Sequence, residues 1–343
     1  FIELRPRKML FRNVFLFDAT ANIDKEYKMI YKLKPALKSY IWGGTNLKTK
    51  WNKVSDEPTL SESWELSFHP VGPSTIDGGE HDGKPLCEVV DKAQWGDACK
   101  DFEFFPVLNK LIDSKTNLSV QVHPSDEYAL AHEHQYGKTE MWHILDAEPG
   151  AILYLGLNRD MTAEQFAAAI DDKTICDYLN AVPVHPGETY FIPSGTLHAI
   201  GGGITLFEIQ QNSSLTYRVY DYDRRDANGN ARELHVDKAK LVTNLNKYVV
   251  PNPSRGELLG ACKYFAAYRY NVGSDDCEQL ALGKPDSFVS LTVVDGNVDV
   301  CSSVCGVQLA LRKGDTIFAT AGENFVVDGN GMVVVTCVNG NAN

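Results

Sequence analysis

Three segments carry residues that could hold a metal ion together. Residues 118–123 read LSVQVH and set Gln121 two positions before His123. On an extended strand those two side chains share a face, because successive residues alternate. Residues 138–145, KTEMWHIL, offer Glu140 on a second strand, where it alternates with Met141, Trp142 and His143. The third segment, HPGETYFIPSGTLHAI (185–200), matches the pattern PG-x5-P-x-G-x2-H. Gly187 opens one tight turn, Pro193 and Gly195 make another, and His198 starts the returning strand, facing inward. One Gln, one Glu and two His form an O/N donor set open to Zn²⁺, Fe²⁺, Mn²⁺ or Ni²⁺. A single strand histidine is most often a core or surface residue, so it is the combination that favours a metal site. The other histidines read as structural or solvated. His132 and His134 fall on an exposed helix, His143 is out of phase with Glu140, and His69, His81, His185 and His235 fall in loops or polar segments.

The elements that must position these donors are mostly strands. Between 29 and 85 short apolar runs are broken by Gly, Pro and Asp, as in SWELSFHPVGPSTI, which predicts strands and turns. Helical spacing marks PLCEVVDKAQWG (85–96) and PSDEYALAHEHQYG (124–137), each with Pro near its start. The clearest helix is MTAEQFAAAIDDKTICDYLN (161–180), where Thr162 and Gln165 are placed as a capping box. TYFIP, LHAIG, TLFEIQQ and LTYRVYDY follow as strands. A polar crossing at 226–257 holds one helix, ELHVDKAKLVTNL, and a second β-rich segment runs from about 260 with turns at DGN, KGD, AGEN and DGNG. Many short, evenly spaced strands favour a jelly-roll barrel with the helices as outer insertions. The expected organisation is an extension at 1–28, a metal-binding β-domain at 29–255 and a smaller β-domain without metal ligands at 256–343. NVFLF in the first segment is too short for a signal core.

Composition narrows the function. With 343 residues, 43% hydrophobic and 23% charged, the chain is of ordinary globular type and longer than one core usually holds. A net charge of −12 argues against nucleic acid or anionic membrane as a bulk partner. A small anionic substrate remains compatible, since a few converging Lys or Arg side chains hold one phosphate. No apolar run approaches the length of a bilayer span. The cysteines at 87, 99, 176, 262, 277, 301, 305 and 337 form no CxxC pair and read as reduced thiols of a cytosolic protein. Cys301 and Cys305 lack the second pair that a soft-metal site would need.

The third segment, through PSGTLHAIG, resembles the second motif of the cupin superfamily. The first cupin motif has HxH followed closely by Glu; here Gln121 replaces the first His and a helical insertion precedes Glu140. Those departures resemble the type I mannose-6-phosphate isomerases, a likeness carried by SESWELSFHP (61–70), LSVQVHPSDEYA (118–129), KTEMWHIL, PSGTLHAIG and SLTYRVYDYDRRDANGNARELHVDKA (214–239). It covers about 29 to 250, and the tail from 260 resembles the family's short C-terminal β-domain. The resemblance implies one zinc per chain on Gln121, His123, Glu140 and His198. It implies that Arg218 acts on the sugar phosphate or the enediol, that Lys110 and Lys138 are the active-site lysines, and that Glu208 carries a proton. For the lysines alone, a solvated ammonium is the competing reading, and for Arg218 a pairing with Asp221. Asp223, Arg224 and Arg225 are expected to pair with one another or with solvent.

These groups suit an aldose–ketose conversion, mannose 6-phosphate to fructose 6-phosphate, through a cis-enediol. Negative charge on adjacent oxygens calls for a Lewis acid, the moving proton for a base, and the phosphate for a remote cationic grip. A cytoplasmic enzyme of carbohydrate metabolism, monomer or homodimer, taking a small sugar phosphate is therefore expected. Two alternatives are an Fe or Mn cupin of oxygenase type and a sugar-phosphate-binding cupin without activity. The Gln donor and paired lysines disfavour the first; the full set of matched residues disfavours the second.

Overall fold

The computed structural model describes residues 9–10, 29–226, 228–302 and 304–339. Of the expected extension, Met9–Leu10 pairs in parallel with Gln279 and Leu280, and the rest, with NVFLF, lies outside the described residues.

Two sheets form the half that carries Gln121, His123, Glu140 and His198, a mainly β jelly-roll. One has six strands in the order Thr189–Ile192, Glu140–Ala147, Ile204–Gln211, Val107–Ser114, Glu62–Leu66, Ala36–Lys38. The other has five, in the order Leu179–Pro183, Ile152–Leu157, His198–Ile200, Val120–Val122, Tyr217–Tyr220. Their inner faces meet in one apolar cluster: Ile112, Trp142, Ile144 and Leu206 from the six-stranded sheet pack with Leu118, Leu153, Leu155 and Ile200 from the other side. Alternation then fixes which residues face the same interior. Lys110, Glu140 and Glu208 share a face with Ile112, Trp142 and Leu206, while Gln121, His198 and Arg218 sit opposite Val120, Val122, Ala199 and Val219. Those latter residues pack outward under Phe166, Ala169, Ile170 and Ala239 of the helices.

The outer face of the six-stranded sheet is covered as well. Val107, Leu111, Met141, Phe207 and Ile209 pack against Phe265, Phe288, Phe318 and Val334 of the C-terminal half. All eight residues of Ile204–Gln211 and of Val107–Ser114 are therefore buried, which is why neither reads as apolar–polar alternation. The third sheet is built on Val289–Cys301 and Asn324–Cys337 around its own core of Tyr270, Leu282, Leu291, Ile317 and Val333. It also takes in two early strands, Ile30–Lys34 on Thr316–Ala319 and Thr75–Ile76 beside it.

Several helices are shorter than their periodicity. The 85–96 run splits into Leu86–Val89 and Lys92–Trp95, because Val90 turns extended and Asp91 starts a new capping box with Gln94. The 124–137 run is helical only over Asp126–His132, so His134 lies beyond the helix, exposed, at φ 54°. The 161–180 run gives Ala163–Asp171, with the Thr162–Gln165 capping box, and stops as Lys173 enters the left-handed region at φ 60°. The polar crossing holds Val236–Val242. No helix among the described residues is long and apolar enough to cross a membrane.

Candidate active site and metal centre

His198 pairs with Gln121 across neighbouring strands, and Arg218 pairs with Gln121 from the other side. Gln121 thus sits between the two in one register line. Gly187 and Gly195 take φ of 89° and 82°, conformations that cost other residues strain, and these turns bring His198 back onto Gln121. Glu140 opens its strand, and Lys110, Glu208 and Trp142 are side by side on three adjacent strands.

His123, Glu140 and His198 converge, with one donor atom of each within 4.8 Å of the others, and all three are almost fully buried. Each imidazole has its Nδ1 beside a backbone carbonyl, 2.7 Å to Leu215 O for His123 and 2.8 Å to Thr196 O for His198. A carbonyl only accepts, so Nδ1 carries the proton and each Nε2 is a bare lone pair. Those Nε2 atoms lie 3.6 and 3.3 Å from the Glu140 carboxylate oxygens. Burial first, with the Lys138 ammonium second, drives the His123 pKa well below its usual value and that of His198 down to about 3. Both rings are therefore neutral at pH 7. Burial also raises the Glu140 carboxyl, and neither of its oxygens has a hydrogen bond of good geometry, although Lys138 Nζ stands 2.5 Å from Oε2. Two unprotonated imidazole nitrogens and a buried carboxylate are a donor set for a divalent cation. Gln121 lies alongside, its amide nitrogen 3.4 Å from His198 Nε2, so a turn of the amide presents its oxygen to the same point.

The cavity next to this trio has a volume of about 300 Å³. Gln121, Lys110, Lys138, Glu208 and Arg218 all line it, so the structure brings together every residue singled out in the sequence apart from the deeper trio. Neither lysine is a solvated surface group: Lys110 and Lys138 are buried. Lys110 Nζ lies 3.1 Å from Glu208 Oε1 and 3.8 Å from Glu62 Oε2, and Lys138 Nζ lies 3.1 Å from His123 Nε2 and 3.9 Å from Glu208. Burial disfavours the Lys110 charge, but Glu62 and Glu208 outweigh it and raise its pKa. Glu208 goes the other way: burial opposes its charge, yet Lys138, Lys110 and the Trp142 indole N–H, at 2.9 Å, hold it ionised.

The charge run after the Arg218 strand is arranged differently from the sequence expectation. Asp223 pairs with Lys173, and Arg224 with Asp221 rather than Asp223. Arg225 donates to Gly229 O. Asp221 also takes Arg232, through Nε at 2.8 Å and a terminal nitrogen at 2.5 Å. With Asp221 engaged by those two guanidiniums, Arg218 makes no ion pair among the described residues, and its Nε is buried there without a hydrogen-bond partner. Arg232 lines the same cavity with its outer N–H groups free of Asp221. Sequence reasoning passed over Glu62, Trp142 and Arg232. Alternation from Glu140 and from Trp64 could have found the first two; Arg232 arrives on an irregular loop that has no period.

Residues 30–145 match the family described as phosphomannose isomerase type I, catalytic domain. The mannose-6-phosphate isomerase of Streptococcus mutans is 36% identical over 293 residues, which is 82% of this chain and 90% of that protein. ManA, the mannose-6-phosphate isomerase of Bacillus subtilis, is 34% identical over 313 residues, 88% of this chain and 97% of that one. The crystal structure of the Bacillus subtilis mannose 6-phosphate isomerase superposes with a TM-score of 0.80 at 32% identity, covering 90% of this chain and 99% of that one. With the donor trio and its cationic cavity, these similarities lead to one assignment: the chain belongs to the type I phosphomannose isomerase family.

Proposed function

We propose that the protein is a zinc-dependent isomerase that interconverts mannose 6-phosphate and fructose 6-phosphate through a cis-enediol. The observation that carries this reading is the adjacency of two sites: a buried N/N/O trio suited to a divalent cation, and beside it a cavity lined by Arg218, a guanidinium that makes no ion pair among the described residues. His123, Glu140 and His198, with Gln121, would hold the zinc. When bound there, zinc supplies Lewis-acid stabilisation of charge on the sugar oxygens.

The remaining groups divide the work by their charge. Arg218 and Arg232 line the cavity as guanidiniums whose open N–H groups match a phosphate. In this reading Glu208, a buried carboxylate lining the cavity, takes the proton from C2 of the aldose and returns it to C1 of the enediol. The hydroxyl proton on O2 moves to O1, leaving the C2 carbonyl of the ketose. Lys110, held charged by Glu62 and Glu208, faces the developing oxyanion as a donor. The test is turnover of mannose 6-phosphate by purified protein, its loss on treatment with a chelator and its return with zinc. Metal-loaded protein that leaves mannose 6-phosphate unchanged overturns the reading.

A further inference from the structure

Asp126 lies outside the cavity, and no step of the reaction uses it, yet its carboxylate collects donors from three separate parts of the chain. The Gly137 N–H donates to Oδ1 at 2.9 Å, Gln211 Nε2 donates to the same oxygen at 2.7 Å, and the Tyr264 hydroxyl donates to Oδ2 at 2.7 Å. The neighbours complete the clamp. Lys138 N–H donates to Pro124 O at 3.0 Å, Thr139 N–H to Gln211 Oε1 at 2.8 Å, and Gln211 N–H to Thr139 O at 3.1 Å. Every backbone N–H from Gly137 to Thr139 is thus held by 124–126 or by Gln211. Gly137 packs so closely that a Cβ there would come within 2.4 Å of the Ser125 carbonyl carbon.

The three segments joined here are the ones that carry the site. Asp126 follows His123 by three residues, Gly137 leads into Lys138 and Glu140, and Gln211 ends the strand of Glu208. The third donor comes from elsewhere: Tyr264 sits in the turn between Leu258–Ala261 and Ala266–Val272 of the third sheet. Among the described residues that sheet brings no donor to the metal trio.

We infer that Asp126 is a positioning residue, which sets Lys138 and Glu140 against His123 and Glu208, and that Tyr264 makes the C-terminal β-unit part of the same device. The inference rests on the isomerase reading, and its test separates the two. Wild-type protein is assayed first with mannose 6-phosphate; no turnover there sinks the isomerase reading alone, because zinc affinity tests the positioning without any substrate. Zinc affinity is measured by competition with a chromophoric chelator, and kcat and KM are measured, for Asp126→Ala, Asp126→Asn and Tyr264→Phe. Asparagine keeps an acceptor oxygen of the same shape for Gly137 and Gln211, so zinc affinity and kcat stay within about threefold of wild type. Alanine weakens zinc and lowers kcat by about tenfold or more, with KM within about twofold, the scale on which groups behind metal ligands act. Tyr264→Phe falls between the two. An Asp126→Ala protein with wild-type near-UV circular dichroism, zinc affinity and kcat overturns the inference, as does an Asn variant no better than Ala. If the Ala variant does not fold, Tyr264→Phe decides: wild-type zinc affinity and kcat in that protein overturn it.

Discussion

Asp221 is bonded to Arg224 and Arg232, and the Arg218 guanidinium makes no ion pair among the described residues. Removing the Arg218 guanidinium should therefore cost function and spare the fold. Arg218→Ala is expected to lower kcat/KM by a hundredfold or more, on the order of 2–4 kcal/mol, with melting temperature and zinc content near wild type. Arg218→Lys recovers little, because an ammonium lacks the planar fork. A stability loss with activity per folded molecule retained would instead make Arg218 a strand-holding residue. The proposed metal donors should rank by charge and burial. His198→Ala is expected to leave well under one zinc per chain by elemental analysis, and Gln121→Ala to retain more, since a neutral amide is the weakest donor. The convergence of His123, Glu140 and His198 beside Gln121 was legible because strand alternation and a turn pattern place them without knowledge of the rest. Arg232, Asp126 and Tyr264 were not, because each reaches its partner across an irregular loop or a distant strand.

At the scale of elements, local chemistry and period were read unequally well. The Thr162–Gln165 capping box is present as its residues imply, and the helix it starts covers Phe166, Ala169 and Ile170. Thr162→Ala should cost about 1 kcal/mol in urea unfolding and leave activity unchanged, as Thr162 is exposed and touches no site residue. Helix lengths were overread, because apolar spacing continues through Val90 and Lys173, where caps and backbone conformation end the helices. On the Glu140–Ala147 strand, His143 points away from the trio, with Nδ1 2.9 Å from Thr189 Oγ1. Burial, and then Arg269, push its pKa from 6.5 down to about 4. Between those values the unfolded chain binds a proton that the folded chain refuses, so stability falls as pH drops through this window. The loss reaches roughly 3 kcal/mol once the pH is near 4. Urea midpoints at pH 7 and pH 5 should differ less in His143→Gln than in wild type; equal differences would mean that His143 takes up its proton without loss of structure.

For the whole molecule, the contact between the halves is sealed by a buried ion pair. Lys53 Nζ lies 2.6 Å from Glu65 Oε1 and donates to Gly314 O at 2.5 Å, while Thr316 Oγ1 donates to Glu65 Oε2 at 3.0 Å. Lys53→Met leaves that carboxylate buried without its cation and is expected to destabilise by about 3–5 kcal/mol, with Glu65→Leu added to it restoring part of the loss. Additive losses in the double variant would show that the pair is not coupled. The jelly-roll class was legible from strand spacing, but the placing of Ile30–Lys34 and Thr75–Ile76 in the third sheet was not, since strand partners far apart in sequence leave no local trace. The six-stranded sheet, buried on both faces, has a kinetic consequence. Its central Ile204–Gln211 strand is paired on both edges, so its amide hydrogens can reach solvent only when both cores open together. Deuterium should enter Glu208 and its neighbours last and at the rate of global unfolding, and calorimetry should record one transition, not two. A chain that has lost either half would then keep no folded remnant able to turn over substrate.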